Sequence, residues 1–145
     1  MLRLLVLLIA LTLAAPALAQ TAEEVDTRLD TVLGSHVLFE EAYVDLSAAI
    51  EADNADALSE LMVYGTPFKL NGKDVTLADA AEFKLRIGEF FNDKVKAAVK
   101  AQRYETLFVN ADGVMFGVGQ LWLGAICKDE VCTAFDVKII AFNNG

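Results

Sequence analysis

The chain has 145 residues, of which 12 are lysine or arginine and 21 are aspartate or glutamate, so its net charge is −9. A chain this acidic lacks the clustered cations that bind nucleic acid by counterion release, and anionic lipid surfaces repel it. Its length supports one domain with its own core rather than two. We therefore expect no nucleic-acid partner, and the excess of acid favours either solubility or an acidic face for a basic partner.

Residues 1–19 have the pattern of a secretory signal peptide. Arg3 supplies a positive start, an apolar run follows it, and small residues lead up to Ala19. The apolar run is too short to span a bilayer. We predict cleavage between Ala19 and Gln20, a periplasmic or secreted location, and a single mature domain over residues 20–145 that does not insert into a membrane.

Helix caps and apolar spacing predict two N-terminal helices. Thr21 and Glu24 have the spacing of a capping box, and the helix that follows them should end near Gly34. Ser35 can cap a second helix, whose apolar residues recur every three to four positions. The expected buried residues are Val25, Leu29 and Val32 in the first helix and Phe39, Tyr43, Leu46 and Ile50 in the second.

The middle of the chain is predicted to contain a short hairpin between helices. Asn54 can cap a third, short helix. Asn71-Gly72 separates two short apolar runs and indicates a hairpin, because both residues accept positive φ. A fourth helix should begin at Asp79, and a basic helix should follow a break at Asn92. The fourth helix should bury Phe83, Ile87, Phe90 and Phe91.

The C-terminal part changes to a strand pattern. We predict a strand over residues 106–109, a turn over 110–113, a long apolar strand over 114–127 and a last strand over 133–142. The glycines inside the long strand favour bending or close approach by a helix over a dinucleotide loop. Helices followed by strands indicate an α+β fold, with helices on one face of a curved three-stranded antiparallel meander.

This order of elements resembles the nuclear transport factor 2-like superfamily, the cone-shaped α+β fold shared with ketosteroid isomerase and scytalone dehydratase. The resemblance covers the helix pair over residues 39–62, the hairpin over 68–76, the helix over 79–91 and the final meander. It implies a pocket between helices and sheet, and proteins of this kind commonly form sheet-to-sheet dimers. The segments LFVN, GVM, GQLW and IIAFNN, at residues 107–110, 113–115, 119–122 and 139–144, resemble small exported bacterial proteins, a likeness that implies no reaction.

Two cysteines and one histidine are the most specific reactive side chains. Cys127 and Cys132 flank a predicted hairpin end, so an oxidising compartment favours a structural disulfide over a redox or metal-binding pair. His36 is the only histidine, and its place at a helix start favours a solvated residue over a catalytic base. One histidine with two oxidised cysteines cannot build a zinc site, so we expect no metal and no cofactor.

An isomerase or dehydratase of the ketosteroid type would need a carboxylate base and an acidic donor inside an apolar cavity. None of the available tyrosines and carboxylates lies in a motif that matches the catalytic positions of those enzymes, so the catalytic residues are unassigned. The candidate donors are Tyr43, Tyr64 and Tyr104, and the candidate bases are Glu82, Asp112 and Asp136. The residues expected to line a ligand pocket are Tyr43, Tyr64, Glu82, Gln120 and Trp122.

Both faces of the predicted strand over residues 114–127 are apolar, although a sheet covered by helices on one side should alternate. The outer face is therefore a second pocket wall, an interface or deep core. An interface would make the protein a candidate homodimer. The residues expected to form it are Phe116, Val118, Trp122 and Phe142.

These patterns favour an exported, non-enzymatic accessory or binding protein. Its partner would be a small apolar ligand held between helices and sheet, or a periplasmic protein on the outer sheet face. The alternative is a small isomerase, dehydratase or hydrolase that uses a tyrosine–carboxylate pair in the cavity. An enzyme requires a buried carboxylate beside a tyrosine, a ligand-binding protein requires an apolar pocket, and an interaction protein requires a filled interior with an exposed apolar sheet face.

Overall fold

The computed structural model describes residues 19–145, and the predicted signal sequence up to residue 18 lies outside the described residues. Within this range, no helix is both long and apolar enough to cross a membrane. The helices are α1 (Ala22–Leu33), α2 (His36–Glu51), α3 (Ala55–Glu60), α4 (Ala80–Phe90) and α5 (Asp93–Ala101). The strands are β1 (Phe68–Leu70), β2 (Lys73–Val75), β3 (Phe108–Asn110), β4 (Gly113–Phe116), β5 (Leu121–Cys127) and β6 (Phe135–Phe142).

The predicted helix starts are confirmed, since each helix has a side-chain cap. Thr21 Oγ1 accepts a hydrogen bond from the Glu24 amide, and the Glu24 carboxylate accepts one from the Thr21 amide, which completes the capping box. Gly34 ends α1 at φ 93°, a left-handed conformation that glycine adopts readily. The caps of the other four helices, each accepting from the amide three residues ahead, are Ser35, Asn54, Asp79 and Asn92.

The strands form one mixed sheet with the order β2-β1-β6-β5-β4-β3, and this α+β arrangement confirms the predicted fold class. Asn71 and Gly72 form the two-residue turn of the β1–β2 hairpin, with φ values of 51° and 79°. Two consecutive positive φ values are typical of a type I′ turn, and the predicted two-residue hairpin is confirmed. Strand β1 pairs in parallel with β6, which joins the hairpin to the meander.

The predicted strand over residues 114–127 is wrong, because residues 117–120 reverse the chain and divide it into β4 and β5. Gly117 and Gly119 have φ values of 63° and 109°, so these glycines form a turn rather than a bend. The meander therefore has four strands, β3 to β6, instead of three. Its first strand also begins later than predicted, because Tyr104–Thr106 form a 3₁₀ turn.

This reversal changes which side chains face the helices. Phe116 pairs with Leu121 across the β4–β5 hairpin, and both are fully buried against the helices. The neighbouring pair, Met115 and Trp122, faces the opposite side and is partly exposed. Even-numbered residues of β4 and odd-numbered residues of the first half of β5 thus point inward, and the predicted grouping of Phe116 with Trp122 is wrong.

Aromatic rings occupy the space between the helices and the sheet. The Phe142 ring centroid lies 5.1 Å from that of Phe91, 5.6 Å from that of Phe90 and 6.1 Å from that of Phe68. All four side chains are at most 3% exposed. In α1, Val25 and Leu29 join this core, whereas the predicted core residue Val32 is 43% exposed.

Replacing Phe142 by alanine should lower the free energy of unfolding by about 3–5 kcal/mol, because it removes a buried ring and leaves a cavity. The matched control is Leu85→Ala, since Leu85 is 89% exposed and its truncation should change stability by less than about 0.5 kcal/mol. Urea unfolding followed by circular dichroism measures both values. Equal effects of the two variants would contradict this description of the core.

Candidate functional site

The predicted donor tyrosines Tyr43 and Tyr64 make structural hydrogen bonds. Tyr43 Oη donates to the carbonyl of Gln102 at 2.9 Å, which ties α2 to the end of α5. Tyr64 Oη donates to the carbonyl of Ser59 at 2.8 Å, across the turn that follows α3. Partial burial raises the pKa of both phenols above the ordinary value, so they stay protonated.

Two other predicted pocket residues also serve local structure. The Glu82 carboxylate accepts a hydrogen bond from the Ala78 amide at 2.8 Å and pairs with Arg86 at 2.8 Å. The first of these contacts is the larger cause of a lowered Glu82 pKa. Gln120 Oε1 accepts from the Val118 amide inside the β4–β5 reversal. The structure therefore does not bring the predicted pocket residues around one cavity.

One tyrosine does touch a carboxylate, and the sequence analysis did not find the pair. Tyr104 Oη donates to Asp26 Oδ1 at 2.6 Å, which joins the 3₁₀ turn to α1. Burial, and then this carboxylate, raise the pKa of Tyr104 far above its usual range. Asp112 is exposed in a turn, and Asp136 pairs with Lys128 at 2.7 Å. No carboxylate among residues 19–145 is buried, so the arrangement required of the enzyme is not present in this range.

His36 lies at the α1–α2 junction in contact with Asp30. The Asp30 carboxylate accepts from the His36 amide at 2.7 Å and lies 2.8 Å from the ring Nδ1. This contact raises the pKa of His36 and lowers the pKa of Asp30. Among the described residues, no cluster of three or more acidic, histidine or cysteine side chains has a geometry that could hold a metal ion.

Cys127 and Cys132 form a disulfide at the end of the β5–β6 hairpin, and both residues are exposed. The loop between them is held independently by Asp129, whose carboxylate accepts four hydrogen bonds and has a lowered pKa as a result. The sequence analysis did not single out Asp129, although an aspartate in a tight loop is typical of side-chain-stabilised turns. Its donors are the amides of Val131, Thr133 and Ala134 and the hydroxyl of Thr133.

A row of six side chains crosses the outer face of the sheet, one from each strand, and consecutive members are register partners. At one end, Lys69 and Asp74 form an ion pair with an N···O distance of 2.7 Å. The other four members are apolar. Phe108 is 46% exposed, and its ring meets that of Trp122 edge to face at 6.5 Å. In order from β2 to β3, the row is Asp74, Lys69, Ala141, Trp122, Met115 and Phe108.

Ile140 extends this apolar row along β6. A Cβ atom on Gly124 would come within 2.5 Å of Ile140 Cδ1, so the glycine leaves the space that the isoleucine side chain occupies. A register shift between β5 and β6 at Trp122/Leu123 places Ile140 in the bulge. We call the resulting surface the outer patch. It consists of Phe108, Met115, Trp122, Ile140 and Ala141.

The predicted interface is thus corrected in part. Phe116 and Phe142 are fully buried against the helices, because the reversal at residues 117–120 sets both of them inward. Val118 lies at the tip of that turn and is 87% exposed, and Trp122 lies in the outer patch. The sequence missed Phe108, Met115, Ile140 and Ala141, whose pairing with Trp122 or Gly124 depends on the strand register.

No family model, curated protein or solved structure matches this chain. The resemblance to the nuclear transport factor 2-like superfamily therefore stays a prediction.

The His36–Asp30 pair should make stability depend on pH. A raised His36 pKa contributes stability that is fully present below the ordinary value of 6.5 and is lost as the pH rises through the folded-state pKa. A lowered Asp30 pKa contributes stability above its ordinary value of 3.8 that is lost on further acidification. The control variant is His36→Asn, which keeps a donor near the Nδ1 position but does not titrate. In urea unfolding, the native protein should therefore have a higher free energy of unfolding than this variant, and the difference should be larger at pH 5.5 than at pH 8.5. An NMR titration giving a His36 pKa at or below 6.5 would contradict the pairing.

Replacing both Cys127 and Cys132 by serine should lower the free energy of unfolding by about 2 kcal/mol on the chain-entropy estimate for so short a loop. The loop conformation should persist, because the Asp129 hydrogen bonds do not depend on the disulfide. Amide chemical shifts of Val131, Thr133 and Ala134 would report that conformation. Loss of the β5–β6 shifts throughout the hairpin would show that the disulfide, rather than Asp129, holds the loop.

Proposed function

We propose that this chain is an exported, non-enzymatic interaction protein that binds a protein partner through the outer patch. The observation that carries the proposal is the continuous apolar row across the four adjacent strands β3 to β6, which lies on the side of the sheet away from the helices. Contiguous exposed apolar side chains on a sheet face are typical of protein interfaces. The predicted resemblance to the nuclear transport factor 2-like superfamily implies sheet-to-sheet pairing through this face.

The filled interior gives less support to a ligand-binding function. The rings of Phe68, Phe90, Phe91 and Phe142 contact one another where a cone-shaped fold would hold its ligand. The phenols that would orient a ligand donate to backbone carbonyls instead. A filled interior together with an exposed apolar sheet face favours protein binding over ligand binding and over catalysis.

The polarity of the outer face suits a protein partner. Its six strands contain 28 residues, which at about 3.4 by 4.8 Å each give a face of roughly 460 Å². This is somewhat over half of the roughly 800 Å² that each partner contributes to a standard interface, so the face suits a small interface. The apolar centre is bordered by the ion pairs Lys69–Asp74 and Lys128–Asp136, an arrangement of core and rim that interfaces commonly have.

Export is supported by two independent features. The leader pattern at residues 1–19 predicts secretion. The Cys127–Cys132 disulfide is stable in the periplasm or outside the cell and is rare in reducing cytosol. The proposed partner is therefore a protein of the same compartment, and a second copy of this chain is the other occupant that the outer patch could accept.

Photo-crosslinking tests the proposal directly. Benzoylphenylalanine in place of Phe108 should form a discrete crosslinked product in cells that export the protein, because this position lies in the outer patch. The matched control is the same amino acid at Leu85, which is 89% exposed on α4. Trp122→Glu should abolish the Phe108 product without changing the circular dichroism spectrum, since a charge at the patch centre opposes burial.

The mass of the product separates the two occupants. A product at twice the mass of the chain identifies a second copy, and a single other mass identifies a different protein. Two results would show that the outer patch is not a docking surface. One is an equal yield of crosslinked product at Phe108 and at Leu85, and the other is a Phe108 product that persists in Trp122→Glu.

A further inference from the structure

A second surface, separate from the sheet, carries apolar side chains that the core does not use. On α2, Val37 and Val44 lie seven positions apart on one helix face and are 50% and 54% exposed. Leu38, on the adjoining face, is 36% exposed. Single exposed aliphatic side chains are common. Of these three, however, Leu38 lines a groove beside α2.

The groove runs between α2 and α3. One depression of about 440 Å³ is floored by Ala48 and Ala49 of α2, by Ala52 just after it, and by Ala57 and Leu61 on the α3 side. A second depression of about 260 Å³ continues toward β6. The two share Asp45, Glu60 and Leu61, so they form one groove, which we call the α2–α3 groove.

The charged side chains along this groove are mainly acidic. Among the described residues, three of the four carboxylates that line it lack cationic partners, whereas the fourth, Asp136, pairs with Lys128. Helix α2 contains four carboxylates and no lysine or arginine. Glu41, Asp45 and Glu60 line the groove, and among residues 19–145 no lysine or arginine lies within ion-pair distance of them. The one cation in the lining, Lys138, donates to the carbonyl of Glu60 instead of to a carboxylate.

We propose that the α2–α3 groove binds a basic amphipathic helix of a partner protein. A floor of alanine and leucine accepts a ridge of apolar side chains, which is how helices dock in grooves. Lysines or arginines on both sides of that ridge would pair with Glu41, Asp45 and Glu60. Residues 38–51 of α2 extend about 20 Å at 1.5 Å per residue, so the groove matches a partner helix of roughly 13 residues.

Charge complementarity selects this occupant over the others. A second copy of the chain brings a net charge of −9 to an acidic groove. The chain's own basic helix, α5, is not available to such a groove, because its Lys96 and Lys100 already pair with Asp53 and Glu51. Anionic lipid and nucleic acid are repelled for the same reason. A basic polypeptide is the macromolecule that satisfies the groove's shape and its charge.

The test uses two synthetic peptides of about 16 residues with the same leucine ridge, one bearing lysines and the other glutamates. Fluorescence anisotropy of the labelled peptides measures binding to the purified protein at 0.1 M salt. The lysine peptide should bind and the glutamate peptide should not. Asp45→Asn with Glu60→Gln should weaken binding about fivefold to tenfold, as two partly exposed ion pairs would. The matched control, Glu23→Gln with Glu130→Gln, removes the same charge at exposed positions outside the groove and should change affinity less than twofold.

A second pair of variants tests the groove floor. Ala48→Lys puts bulk and positive charge in the groove and should reduce affinity at least tenfold, whereas Leu85→Lys adds the same charge on exposed α4 and should not. Ala48 and Leu85 are both exposed helix residues, so both variants should keep the native circular dichroism spectrum. Trp122→Glu should leave peptide binding unchanged, which separates this result from that of the outer patch.

Four results would overturn the proposal. Equal losses from the groove variants and their matched controls would show general attraction to an acidic protein. Equal binding of the two peptides would show that charge does not select the occupant. Absence of binding would show that the groove does not accept a basic helix. A protein dimer that forms without peptide and that Ala48→Lys disrupts would identify a second copy as the occupant.

Discussion

The four-residue reversal at residues 117–120 decides which side chains lie inside and outside across the centre of the sheet. Side chains alternate along a strand, so the number of residues in the reversal sets the faces of both strands that it joins. The turn favours glycine at residue 117, whose φ is 63°, and Gln120 Oε1 accepts a hydrogen bond from the Val118 amide within it. Asn143 closes it by donating its side-chain amide to the Gly119 carbonyl at 2.7 Å. A residue just after β6 thus helps to hold the turn that sets which faces of β4 and β5 point inward.

The two proposed surfaces follow from the same packing. Because Phe116 and Phe142 point inward, the core is filled by rings and the sheet is left with Trp122 and its apolar neighbours on the outside. On the other side, α2 buries Phe39, Leu46 and Ile50 in that core, and its Glu41 and Asp45 line the groove beside α3. The molecule thus presents an apolar sheet face and an acidic helical groove on different elements, which suits partners of different chemistry.

Local signals in the sequence predicted the helices and the fold class, because caps and the Asn71-Gly72 turn act within a few residues. The apolar run over residues 114–127 fits a continuous strand and a hairpin equally well, so periodicity alone could not locate the reversal. The outer patch depends on register between distant strands, and the Tyr104–Asp26 contact spans 78 residues. The Cys127–Cys132 disulfide could be predicted from the sequence because the two cysteines flank one short loop.

Trp122 lies partly exposed on the outer face of the sheet, which a protein partner covers in the proposed function. Trp122 is the only tryptophan in the chain, so acrylamide quenching of intrinsic fluorescence reports this face alone. In the dilute, isolated protein we predict clear quenching, which should decrease when the crosslinked partner or a second copy is bound. Resistance to quenching in the dilute, monomeric protein, or quenching that binding does not change, would contradict the account.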